Sequence, residues 1–122
     1  MSDAGRQDLC ERALKFSAAV LVFCESLSAA GGAFAHISEQ LFEAASSVGA
    51  NLDEGQAAAS RRDMAAKYGI SLRESREARY WLRLAATNQR FTADAAPLIL
   101  EATAFVKMLT TSVRKLREPP AL

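Results

Sequence analysis

Few residues in this chain are equipped for chemistry, and their spacing keeps them apart. The densest group lies in "SSVGANLDEGQAAASRRD", residues 46 to 63. Asp53 and Glu54 are neighbours there, so on a helix their side chains point about 100° apart and form no acid–base pair. Asn51 and Glu54 are three apart and share a face. The first reading is a structural polar contact, with Glu54 accepting from the next helix start or pairing with Arg73 or Arg76. The alternative is a ligand site. His36 is the only histidine, and no Cys stands at metal-ligand spacing from it. It reads as a solvent-facing residue near a helix start. No Glu-x-x-His pair exists to build a di-iron carboxylate site. "GANLDEG" lacks the Lys-Ser/Thr of a phosphate loop. A Ser or Cys nucleophile would need a positioned base, and His36 is not evidently near one. These residues point to no catalytic site, no metal, no cofactor and no small-molecule substrate.

Cys10 and Cys24 fall fourteen residues apart in one helical pattern. On a helix that is about 21 Å, too far for a disulfide between them. They read as buried free thiols in a reducing, cytoplasmic compartment. The segment "KFSAAVLVFCESLSAAGGAFA" imitates a signal peptide, but Glu25 ends its apolar run and Asp3, Asp8 and Glu11 precede it. The run also looks too short to span a bilayer, so no membrane is expected. A length of 122 residues suits one domain, 1–122, with a core that needs no staple. A formal charge of +1 implies no global pull toward nucleic acid or membrane.

The elements that must position these residues are helices, since alanine is abundant and no strand-like alternation occurs. The pattern predicts four, at about 6–28, 35–56, 61–88 and 94–117. Leu9, Ala13, Phe16, Val20, Phe23 and Leu27 form a heptad seam in the first, with a second row at Cys10, Leu14, Leu21 and Cys24. Gly31 and Gly32 break it. Ile37, Leu41, Ala44, Ala45, Val48 and Leu52 mark the second, and Gly55 is expected to turn the corner after it. Ser60 with Asp63 resembles a helix cap. Met64, Tyr68, Ser71, Leu72, Ser75, Ala78, Leu82 and Ala85 form the third stripe, small in its middle so that a partner helix can come close. Thr92 or Asp94 is expected to cap the fourth, placing Pro97 in its first turn. Leu98, Ala102, Phe105, Leu109, Val113 and Leu116 repeat the seam. The predicted fold is an all-α, antiparallel up-and-down four-helix bundle.

Two features exceed what one bundle needs. Ile70, Trp81 and Leu84 cluster roughly 140° from the third core stripe. With Leu14 and Leu21 on the wide face of the first helix, they predict subunit contacts and a homo-oligomer. Charge is also segregated. Residues 31–59 carry four acids and no base, whereas residues 60–90 carry eight bases and three acids. Arg76, Arg79, Arg83 and Arg90 project onto one stripe. They read as a solvated face, with pairs such as Arg73 and Glu77, or as a candidate nucleic-acid surface. Acidic helix two and basic helix three are expected to complement one another within the hairpin or across a subunit boundary.

The segment "QLFEAASSVGANLDEGQAAASRRDMAAKYGISLRESREARYWLRLAATN" resembles the four helix bundle protein family, first noted in intervening sequences of bacterial 23S ribosomal RNA genes. The match lies at Gln40-Leu41, Ala44-Ala45, Ser47-Val48, Asn51-Leu52 and Glu54-Gly55, then at Glu74 and Glu77 before "RYWLRL". "EATAFVKMLTTSVRKLR" resembles the family's last helix. The chain departs from the pattern at Glu43, where the family often carries a base. The resemblance implies a bundle that assembles as a homo-oligomeric ring, commonly a pentamer, with no established enzymatic activity. A relative, the accessory variability determinant of diversity-generating retroelements, forms such a ring, binds nucleic acid and partners a reverse transcriptase. The function expected is therefore a non-enzymatic, pentameric scaffold or interaction protein. The alternative is an accessory protein that binds nucleic acid or a reverse transcriptase through the arginines.

Overall fold

The computed structural model describes residues 2–119. Four helices follow one another: α1 (Asp3–Ala30), α2 (Gly32–Gln56), α3 (Arg61–Ala86) and α4 (Gln89–Arg117). Each packs along the next, α1 on α2, α2 on α3 and α3 on α4, in an up-and-down bundle. α1 also meets α4, mostly through long side chains rather than close backbones. Phe16 lies 5.5 Å from Phe105 between ring centroids, and Arg12 reaches Glu101.

Local chemistry sets the ends. Ser2 accepts from the Gly5 amide, and Ser60 from the Asp63 amide at 3.1 Å, the cap expected there. The α1–α2 connection is Gly31 alone, with φ +73° and Gly32 at +56°, backbone values that suit glycine. α4 departs from expectation. Asn88 caps it by accepting from the Arg90 amide at 2.9 Å, so neither Thr92 nor Asp94 starts the helix. Thr92 instead donates to the Ala86 and Asn88 carbonyls. Pro97 therefore stands inside the helix, where its ring removes the bond to the Ala93 carbonyl. Both residues are exposed, so water meets the freed carbonyl.

The predicted stripes are the core. Every seam residue named above for α1, α2 and α4 is buried except Leu116, which is half-buried. Met64 and Leu72 of α3 are half-buried at its edge. Small residues let backbones approach, as expected for α3. Ser71 donates to the Val48 carbonyl at 2.8 Å, across to α2. A Cβ on Gly49 would touch that of Ala13 at 3.4 Å. Gly55 is not the corner. It remains in α2, where the Tyr68 ring fills the space of its missing side chain, and the turn falls at residues 57–60.

α1 and α4 are long and apolar enough, by length and composition, to cross a membrane, which corrects the expectation that the apolar run is too short. Core helices of soluble proteins pass the same test. Only 33% of the most apolar window of α1, and 28% of that of α4, is buried. Both helices are apolar on an outer face as well as on the core face.

Candidate interaction surfaces

The outer apolar residues fall in two groups, one along α1 and α2 and one on α3. Three contacts fix the register of the α1–α2 hairpin: Ser17 Oγ donates to the Ala45 carbonyl, Ser38 Oγ to the Cys24 carbonyl, and Gly49 lies on Ala13. That register sets Leu21 beside Phe42 on the outside. Leu14, Leu21 and Val22 project away from the core stripe of α1, and Val22 is 65% exposed. Leu100 of α4 is 73% exposed.

The second side belongs to α3, diagonal to α1. Tyr80 and Leu84 are exposed there, Leu84 at 39%. Ile70 is half-buried. Trp81 is half-buried too, packed on the core edge between Tyr80 and His36, with centroids 5.3 and 6.1 Å away. Its indole N–H is buried with no acceptor among the described residues, which costs about 1–3 kcal/mol. His36 is exposed, as expected, although its ring meets Trp81 edge-on.

The charge complementarity expected within the α2–α3 hairpin takes no form of ion pairing: among the described residues no ion pair joins α2 to α3. One acid of α2, Glu43, instead lies close enough to Glu74 of α3 to act on it. Burial, then Glu77, push the Glu74 carboxyl above its ordinary range; Arg73 opposes them, and Glu43 adds the smallest effect in the raising direction. Arg73 reaches Glu74 at 3.9 Å rather than pairing with Glu77. Leu72 shares a cleft with Thr110 and Val113 of α4. Arg76, Arg79 and Arg83 continue that side of α3 at helical spacing, without an ion pair among the described residues. Arg90 leaves the stripe. α3 ends at Ala86, and Arg90 lies in the first turn of α4 with its guanidinium over Phe34 and Phe91, at 5.2 and 5.4 Å.

The polar motif residues assemble no centre. Asn51 is half-buried and gives its amide hydrogens to Ser47, to the carbonyl and to Oγ, both at 2.9 Å. That is a structural contact within α2. Glu54 is exposed and pairs with neither Arg73 nor Arg76. Cys24 is buried, while Cys10 is half-buried and its thiol is pushed up to about 11 by burial and a hydrogen bond to Asp53. Among the described residues no group of three or more His, Cys, Asp or Glu is placed to hold a metal ion. Sequence reasoning missed the Arg12–Glu101 pair. It is bidentate at 2.8 and 2.7 Å, joins α1 to α4, and holds the Glu101 carboxyl below its ordinary range. No local spacing signals a pair eighty-nine residues apart.

Residues 6–111 match the family described as 23S rRNA-intervening sequence protein. The fold is similar to the crystal structure of a protein of unknown function from the S23 ribosomal protein family of Bacteroides thetaiotaomicron. That similarity has a TM-score of 0.77 and 25% identity, and covers 86% of this chain and 97% of the other. No curated protein matches the chain.

Proposed function

This chain belongs to the 23S rRNA-intervening sequence protein family, and as a member of it we propose that it is a non-enzymatic cytoplasmic scaffold that associates head to tail into a ring. The observation that carries this reading is the pair of unlike apolar faces on one bundle: Leu14, Leu21, Val22 and Phe42 on one, Tyr80, Trp81 and Leu84 on the other. Two different faces that dock on each other make a heterologous contact, which closes into a ring when the rotation per subunit allows. Charge supports the same docking. Glu39 and Glu43 are exposed on α2, while Arg76 and Arg83 are exposed on α3. Opposite rims on the two faces favour one register. The buried Trp81 N–H has no acceptor among the described residues, and a neighbouring copy could supply one. The family resemblance favours five subunits. Light scattering at micromolar concentration is expected to return about five times the 13.2 kDa chain mass. Leu21→Asp and Leu84→Asp should each reduce it. A mass near 13 kDa for the unaltered chain sinks the reading.

A second reading is an accessory protein that binds nucleic acid or partners a reverse transcriptase, acting through Arg76, Arg79 and Arg83. Those arginines have no ion pair among the described residues, and the family description names a ribosomal RNA element. Arg90 drops out of this surface because its guanidinium is stacked on two rings. Binding to RNA or DNA that survives an Arg79→Glu, Arg83→Glu double reversal with the oligomer intact would remove this role.

A further inference from the structure

One recess stands apart from both apolar faces. A cavity of about 430 Å³ opens at the end of the bundle where α1 and α3 begin and α4 finishes. That volume lies in the range of small-ligand pockets. Its wall carries three bases, Arg6, Arg61 and Lys115, against one acid, Glu118. Arg6 also pairs with Asp3. Arg61 is held rigidly: its Nε donates to the Leu116 carbonyl at 3.0 Å and its Nη2 to the Lys115 carbonyl at 2.5 Å. This ties off the end of α4 and fixes a guanidinium that no carboxylate neutralises among the described residues.

Donors without acceptors share the recess. Tyr68 is 1% exposed and lines it. Its hydroxyl oxygen accepts from Gln56 Nε2 at 2.7 Å, which leaves the phenolic proton with no acceptor among the described residues. Ser112, on the same wall, makes no side-chain hydrogen bond among the described residues. A surplus of positive charge beside two unspent hydroxyl protons suits a ligand that is anionic and made of acceptor oxygens. Hydrogen bonds from cations to such oxygens are the stronger kind.

We propose that this end cavity binds a phosphate monoester dianion, with Arg61 and Lys115 supplying charge and the Tyr68 and Ser112 hydroxyls donating to its oxygens. The phosphate could belong to a free small ester or to the terminus of a nucleic acid, and the test separates them. The unaltered full chain is titrated with methyl phosphate at constant ionic strength, following the Ser112 and Lys115 backbone amides by NMR. Saturable binding at one site per chain is expected. Lys115→Gln and Ser112→Ala, both outside the core, should each weaken it, Lys115→Gln by about tenfold. Tyr68→Phe should also weaken it, with circular dichroism confirming the fold. Arg83→Gln, far from the recess, should leave it unchanged. Shifts that never saturate, or an equal loss in Arg83→Gln, overturn the site. A 5′-phosphorylated trinucleotide compared with its 5′-hydroxyl form then assigns the source. Phosphate-dependent binding of the trinucleotide supports a terminal phosphate, and binding of methyl phosphate alone supports a free ester.

Discussion

At Gly55 a missing methyl group sets the packing of two helices. A Cβ there would lie 2.7 Å from Cε1 of Tyr68, a ring already buried against α2. Gly55→Ala must displace that ring, and overpacking of this kind costs about 1–3 kcal/mol. Urea denaturation should show the loss without a change in slope. Single carboxyls likewise carry the pH response. Glu101 titrates below its ordinary value because of Arg12, so its contribution is present above about 4.5 and is lost as pH falls through its folded value. Glu74 has the opposite sign. Its raised value makes the charged form unfavourable in the fold, a penalty that grows as pH rises through the folded value and vanishes below about 4.5. Glu74→Gln should therefore melt higher than the unaltered chain at pH 7 and no higher in acid. Glu101→Gln should melt lower at pH 7, by a small amount, since both partners of the ion pair are partly exposed. The Gly55 and Glu101 effects are not legible in the sequence. Each depends on a residue from another helix, whereas the Ser60 cap needs only the three residues after it.

At the scale of the element, the helix ends divide into those that local chemistry fixes and one that it misplaces. Ser60→Ala should cost about 1 kcal/mol, the usual loss of a cap, read by thermal denaturation. Asn88→Ala should cost about as much, because Asn88 is the residue that starts α4. Thr92→Ala should not abolish that start. Pro97 misled the sequence reading because proline usually sits in a first turn. Here the amphipathic seam of α4 already runs through Phe91 and Ala95. Burial of those residues outweighs the lost hydrogen bond at an exposed position. Pro97→Ala should raise stability by about 1–3 kcal/mol, and a drop would mean that the proline shapes a contact outside the subunit.

Across the whole molecule, the proposed ring rests on two faces that differ, and that difference gives a sharp test. A Leu21→Asp variant keeps the α3 face, and a Leu84→Asp variant keeps the α1 face. Mixed in equal amounts, they should form a dimer and nothing larger, seen as twice the chain mass by light scattering. Like-to-like docking of the same face predicts no such complementation. α1 and α4 are double-sided for the same reason, and their outer leucines and Val22 are at least half exposed. The end cavity lies away from these faces, so ring assembly and phosphate binding are separable in the same set of variants.

The sequence by itself determined the four helices, their seams and their order. Periodicity at 3.6 residues is a local property that survives without any neighbour. It also marked Leu14, Leu21, Ile70, Trp81 and Leu84 as surplus to one core stripe. Only the tertiary structure decided what the polar residues do. It set Glu43 of α2 near Glu74, laid Arg90 on Phe34 and Phe91, tied Arg12 to Glu101, and gathered Arg61, Tyr68, Ser112 and Lys115 around one recess. A charge pairs with whatever lies within a few ångströms. In a bundle those neighbours come from helices far along the chain, brought together by an apolar core that ignores charge.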